Sequence, residues 1–184
     1  MKKLLFLGAI CLMAVATIGT IASCDKESDS TGTGGGGITP GGDITPAEYV
    51  DLGLPSGTKW KTTNETNPND SYNFFTYDEA IEKFGSSLPT KEQLEELKDN
   101  CQWTWDDTKK GDKVVGPNGN SIFLPAAGYR NCDGDVYLVG SDGYYWSSTP
   151  YGSDFAWGLY FGSGGVGMDY SGRCGGRSVR LVQD

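Results

Sequence analysis

From Leu94 the apolar residues recur at Leu97 and Cys101, on one side of a helix, while Glu92, Glu95, Glu96, Lys98 and Asp99 fall on the other. Pro89-Thr90 opens this segment, and Thr90 with Gln93 has the spacing of a capping box. A shorter helix is predicted over Tyr77–Phe84, with Thr76 as its cap, Ala80, Ile81 and Phe84 as its apolar stripe and Gly85 as its stop. Elsewhere the period is two. Tyr49 to Leu54 alternates, meets the turn Pro55-Ser56-Gly57 and resumes at Thr58–Trp60–Lys61, an opening hairpin. Polar residues from Asn64 to Ser71 read as a loop. Trp103-Thr104-Trp105 is a strand fragment, and Lys113–Val115 and Ser121–Leu124 flank the turn Gly116-Pro117-Asn118-Gly119-Asn120. Val136–Val139, Tyr144–Ser148, Phe155–Phe161, Val166–Tyr170 and Ser178–Val182 complete the strands. Two helices followed by many short strands predict an α+β domain built on a twisted antiparallel sheet.

Alternation within Phe155–Phe161 assigns Trp157, Leu159 and Phe161 to a core face and Gly158, Tyr160 and Gly162 to a solvent face. This stretch belongs to an unusual segment. The 28 residues from Pro150 to Arg177 include nine Gly, three Tyr, three Ser and two Asp. Tyrosine offers contact area with few rotors to freeze, and Gly and Ser let the backbone adapt, the mixture found in antibody loops. The same residues also build tight turns and half-buried strands, and composition alone does not separate the two readings.

The N-terminus adds a different signal. Lys2 and Lys3 precede an apolar run from Leu4 to Ile21, and small residues follow before Cys24, the pattern of a secretory leader. The run approaches membrane-spanning length, so a retained anchor helix is the competing reading. Ser30 to Thr45 is dominated by Gly and Thr and cannot bury a core, which makes it a flexible tether. The expected organisation is a leader at 1–23, a tether at 24–46 and one folded domain at 47–184. The full chain carries a formal charge of −9; loss of the leader leaves 13 basic against 24 acidic residues, net −11. Nucleic-acid binding needs a basic footprint that is lacking here.

The chain has no histidine, which excludes Ser-His-Asp and Cys-His catalysis and His-ligated zinc. No cofactor and no metal are expected. Asp133-Gly134-Asp135 could supply oxygen ligands but reads as a turn. Beyond Cys24, three cysteines admit at most one disulfide; Cys132 with Cys174 is one option, and Cys101 is expected to act as a small apolar residue.

Several phrases resemble known families. Ile21-Ala22-Ser23-Cys24 resembles the lipobox of bacterial lipoproteins, which implies acylation of Cys24, and Asp25-Lys26-Glu27-Ser28-Asp29 resembles the acidic export signal of Bacteroidetes surface lipoproteins. Tyr49–Pro55 with Gly57-Thr58-Lys59-Trp60, Leu88-Pro89-Thr90, Asn100-Cys101 with Trp103 and Trp105, the run from Gly116 to Gly128, Tyr144-Tyr145-Trp146-Ser147-Ser148-Thr149 and Ser178–Val182 together resemble the Fibrobacter-type major paralogous domain. That resemblance implies a C-type lectin-like fold, distantly related to formylglycine-generating enzymes. The C-terminal stretch further resembles the variable region of diversity-generating retroelement proteins. In that picture Trp146, Trp157, Leu159, Phe161, Met168 and Arg180 are fixed scaffold. The ligand-binding positions would be Tyr151, Ser153, Asp154, Phe155, Gly158, Tyr160, Gly162, Gly165, Gly167, Asp169, Tyr170, Ser171, Gly172, Arg173, Cys174 and Gly175.

The expected function is therefore that of a non-enzymatic lipoprotein on the outer face of the outer membrane. Anchored through its lipid, it would bind an extracellular protein or glycan. A structural or adhesive subunit of a surface assembly is the alternative, and a formylglycine-generating enzyme is disfavoured because Cys174 lacks a second cysteine nearby.

Overall fold

The computed structural model describes residues 48–184; the leader, Cys24 and the tether lie outside the described residues. The fold is mixed α+β and sheet-rich, with two short helices and several small antiparallel sheets. Strand β1 (Tyr49–Asp51) pairs with β2 (Lys59–Lys61), as the hairpin pattern predicts. The last strand, β11 (Val182–Gln183), joins the other side of β2, so the two ends of the described domain share one sheet.

Both helices form where local chemistry places them. In α1 (Tyr77–Phe84) Thr76 and Glu79 complete a capping box. In α2 (Lys91–Asn100) the Gln93 amide donates to Thr90 Oγ1 at 3.2 Å, and the Thr90 amide donates to Gln93 Oε1 at 2.9 Å. These bonds satisfy N–H groups that the first helical turn leaves unpaired. Leu94 and Leu97 are buried, as their spacing requires.

A three-stranded meander follows: β3 (Gln102–Asp106), β4 (Gly111–Val115) and β5 (Ser121–Pro125). Its inner face buries Val114, Ile122 and Leu124. Asp112 occupies the same face between Trp105 and Leu124, and burial holds its carboxyl above the ordinary carboxylate range. A raised folded-state pKa means that the domain binds this proton more tightly than the unfolded chain does. The resulting penalty is absent below the unfolded pKa and complete above the folded one. Asp112→Asn is therefore expected to raise the denaturation midpoint at pH 7, with the gain vanishing as pH drops below about 4. Equal gains at both pH values would show that the carboxylate is not the cause.

Next comes the two-stranded pair β6 (Tyr129–Arg130) and β7 (Val136–Tyr137), then a sheet of long strands: β8 (Asp142–Tyr151), β9 (Phe155–Gly162) and β10 (Gly165–Gly172), in the order β10-β9-β8. The expectation of one twisted sheet is thus corrected to four small ones. The predicted strand Ser178–Val182 is corrected as well, since only Val182–Gln183 enters a ladder. Residues 175–182 are instead a buried thread whose backbone bonds go to different elements. Arg177 exchanges two bonds with Phe75; the Ser178 amide donates to Tyr144; the Val179 carbonyl accepts from Glu65 and the Leu181 carbonyl from Lys61. The alternation of Val179 and Leu181 with Arg180 has the composition of a strand, but its backbone is satisfied by several elements in turn rather than by one strand partner.

Two core clusters flank the β8–β9 hairpin. One gathers Leu52, Trp60, Leu94, Leu97, Val114, Leu124, Tyr145, Leu159 and Phe161; the other gathers Phe75, Tyr77, Leu88, Trp146, Ala156 and Val179. Neighbours Tyr145 and Trp146 enter different clusters because successive strand side chains point to opposite faces.

Candidate recognition surface

The β8–β10 sheet carries most of the sequence-predicted positions and divides them between its two faces. On one face β9 and β10 pair Phe161 with Val166, Leu159 with Met168, Trp157 with Tyr170 and Phe155 with Gly172, while Tyr151 of β8 faces Phe155. Leu159 and Phe161 are buried and Met168 packs on the first core cluster. Beyond them the same face emerges from the core. Tyr151 and Phe155 are each 44 % exposed and Tyr170 is 43 % exposed. Their rings form a connected set: Tyr151 stacks on Tyr170 at 4.1 Å, Phe155 meets Tyr170 at 5.8 Å, and Trp157 meets Tyr151 at 5.3 Å and Tyr170 at 5.7 Å. Trp157 is thus only half scaffold: its ring is a partly open floor, with the Lys91 ammonium 4.5 Å from its centroid.

Arg173 and a disulfide hold the margin of this patch. The Arg173 guanidinium pairs with Asp78 of α1, donates to the Ser153 carbonyl at 2.9 Å and lies 4.6 Å from the centre of the Tyr77 ring. Cys132 and Cys174 form a disulfide with Cα atoms 5.1 Å apart, which fastens the β6–β7 turn to the segment after β10. Gly172 lies beside both sulfurs. Exposed Ser153 and Asp154 border a depression with Asp78, Arg173 and Cys174. Arg173 and Cys174 are therefore committed to holding the loop rather than free to meet a ligand, and the pairing of Cys132 with Cys174 is the option the sequence leaves open.

The opposite face carries Tyr160, Gly162, Gly165, Gly167, Asp169 and Ser171, with Asp142, Tyr144 and Trp146 opposite them on β8. Tyr160, Gly165 and Asp169 are exposed; Gly162, Gly167 and Ser171 are half-buried. Two predicted positions leave the candidate set. Gly158 is buried in the central strand, where a Cβ would lie 2.6 Å from the Tyr145 carbonyl oxygen, and Gly175 is buried with a Cβ position 3.0 Å from the Arg130 carbonyl oxygen. Alternation correctly turns Gly158 away from Leu159, but Trp146 and the second core cluster cover that side too. Gly167 differs, because its added Cβ would meet only the Tyr160 ring end. Gly158→Ser is expected to destabilise by about 1–3 kcal/mol, the cost of overpacking against backbone, while Gly167→Ser displaces a movable ring and costs under about 1 kcal/mol. Urea midpoints compare them, and equal losses would contradict this geometry.

A model for a domain of unknown function, DUF8237, matches residues 89–182. The chain belongs to the DUF8237 family. The family segment runs from the start of α2 to β11 and contains the whole β8–β10 sheet, the disulfide and the buried thread. No curated protein and no solved structure matches this DUF8237 chain.

Sequence reasoning missed the run of rings Tyr137, Tyr129 and Tyr144 that leads to Tyr160, and it read Arg177 only as a residue that could satisfy loop carbonyls or carboxylates. Nothing local marks them, since β6 and β7 have two residues each and gain their place by docking on β8. Arg180 is different. It is 2 % exposed, and its Nε, Nη1 and Nη2 donate to Asn64 Oδ1 at 2.9 Å, the Lys61 carbonyl at 2.8 Å and the Phe123 carbonyl at 2.8 Å. Arg180 is a scaffold residue. Asp133 and Asp135 donate their amides to Asn131 Oδ1, which makes their segment a side-chain-stabilised turn, and no acidic or cysteine cluster suited to a metal occurs among the described residues.

Proposed function

We propose that this DUF8237 protein is a lipid-anchored surface module of C-type lectin-like fold that recognises an extracellular protein or glycan through outward side chains of β8–β10. The observation that carries this reading is the aromatic patch of Tyr151, Phe155, Trp157 and Tyr170. Connected, partly open aromatic rings are unusual on a monomer surface and mark interaction sites. Here the rings stand on paired strands and a cross-linked loop, so little conformational freedom is lost when a partner docks. Closure of the domain by its first and last strands on β2, together with the phrases from residue 49 to 182, supports the lectin-like reading. The leader, Cys24 and the tether support display at the outer membrane surface.

The enzymatic alternative loses ground on the cysteines. The expectation that Cys174 has no second cysteine nearby is corrected, since Cys132 is bonded to it; that bond leaves neither thiol free, and Cys101 is half-buried with its thiol pushed up to about 11, first by burial and then by Glu96. A thiol held so high is a poor nucleophile at neutral pH.

The test compares the full-length protein with a Tyr151→Ala/Tyr170→Ala variant on arrays of extracellular protein domains and glycans. Truncating two central aromatic contacts is expected to weaken the wild-type interactions at least tenfold with little change in melting temperature. Unchanged binding by the double variant would remove the patch from the site.

A further inference from the structure

The far face of the same sheet carries a second surface, and we propose that it binds a neutral saccharide, with one pyranose ring seated beside Tyr160. Tyr144 and Tyr160 stack across the strands at 6.4 Å, Tyr129 meets Tyr144 edge-on at 4.9 Å, and Tyr137 stacks on Tyr129 at 5.6 Å. Next to Tyr160 the sheet has a depression of about 240 Å³ bounded by Asp142, Gly162, Gly164, Gly165 and Val166. Its floor is open at Gly165, which no other atom covers, while the Asp142 carboxylate lies over the facing Gly162. That space is smaller than a drug-sized pocket and suits a single ring. The tyrosine faces offer an apolar wall for the C–H side of a sugar, and the Asp142 carboxylate offers an acceptor for its hydroxyls.

Arg177 does not line this depression; it stands further along the same face beside Tyr144 and Trp146, where the next part of a saccharide would reach it. Its side chain lies 4.9 Å from the Trp146 ring centre, 5.0 Å from that of Tyr144 and 5.9 Å from that of Tyr129, and the residue is 8 % exposed. Arg180, also buried, uses all three of its nitrogens on protein acceptors. Arg177 uses only Nη2, on Ser171 Oγ, and makes no ion pair among the described residues. Only the indole N–H groups of Trp60 and Trp103 are sealed without a partner among the described residues, so the remaining Arg177 donors are not closed off. Burial pushes the Arg177 pKa down to about 10, which leaves it charged at neutral pH. A buried cation with spare donors, bordered by aromatic rings and by Asp169, is complemented by a group rich in hydroxyl and ring oxygens.

The surrounding charge decides between sugar classes. Asp142 and Asp169 share this face on a chain of net charge −9, which repels uronic, sialic and sulfated saccharides. Asp142 and Asp169 flank the run of tyrosine rings with carboxylate acceptors, which pair with the hydroxyls of a saccharide.

The test uses full-length protein in detergent micelles on an array of neutral and acidic glycans beside an array of extracellular protein domains, followed by calorimetric titration of the best neutral glycan. Neutral glycans are expected to bind. Tyr160→Ala should weaken them at least tenfold and Asp142→Asn several-fold, while Tyr72→Ala, an exposed tyrosine outside both surfaces, should leave them unchanged. Arg177→Lys should also weaken binding. If that variant fails to fold, exposed Tyr160 decides the matter alone. Absence of neutral-glycan binding, preference for acidic glycans, a protein ligand lost on Tyr160→Ala, or wild-type affinity in Tyr160→Ala would each overturn the proposal. The aromatic-patch reading is judged separately by Tyr151→Ala/Tyr170→Ala, so either site can fail without the other.

Discussion

Arg180→Ala is expected to cost the domain about 3–5 kcal/mol, the order expected when three buried acceptors lose a charged donor, and to lower Tm by roughly 10–20 °C for a domain of this size. The guanidinium joins three separate parts of the chain: Asn64 in the loop after β2, the Lys61 carbonyl at the end of β2, and the Phe123 carbonyl in β5. Asn64 also donates to the Tyr145 hydroxyl at 3.0 Å, and that hydroxyl donates to the Pro125 carbonyl at 2.9 Å. Alanine would leave three acceptors without their donor and open space beside Tyr145, and each orphaned buried acceptor costs about 1–3 kcal/mol. Burial lowers the Arg180 pKa, but an arginine side chain stays charged, so the loss holds across ordinary pH. Lysine keeps the charge but lacks the planar fork that reaches three acceptors, so Arg180→Lys should recover little of the loss. Thermal and urea melts of the two variants provide the measurement. A loss below about 1 kcal/mol for alanine would mean that water replaces the guanidinium, and the scaffold role would fall.

Removing the Cys132–Cys174 disulfide is expected to cost nearly as much. The bridge closes a loop over a sequence separation of 42, for which chain entropy alone gives about 4 kcal/mol. The effect should be largest at the end of β10, because the bridge anchors the segment that follows Gly172 and carries Arg173 to Asp78. A Cys132→Ser/Cys174→Ser variant should therefore show a lower urea midpoint and faster amide exchange in residues 150–156 and 170–176. Non-reducing peptide mapping of the wild-type protein should recover the cross-linked pair. If dithiothreitol leaves the midpoint unchanged, the bridge adds no stability.

How much of this could be read without coordinates depends on the range of the interaction involved. Thr76 with Glu79 and Thr90 with Gln93 are three residues apart, and both capping boxes form as the spacing predicts. The turn at Gly116–Asn120 and the alternation of Leu159 and Phe161 toward the core are equally local, and both appear. Gly158 and Gly167 could not be told apart in the chain. One meets the backbone of its neighbouring strand and the other meets a movable ring, a difference that arises only when β8 and β10 take their places. Arg177 and Arg180, three residues apart in one buried thread, are the same side chain with opposite circumstances: one has spare donors and the other has none.

The sequence by itself determined where the helices start, which strand residues point the same way and which chemistries the absence of histidine forbids, because these follow from covalent neighbours and composition. Only the tertiary structure decided which sheet face is covered, which tyrosines meet, and which donors of Arg177 and Arg180 find protein acceptors. The physical reason is that periodicity fixes the side on which a residue stands, whereas burial and pairing depend on segments tens of residues away that must first pack against it.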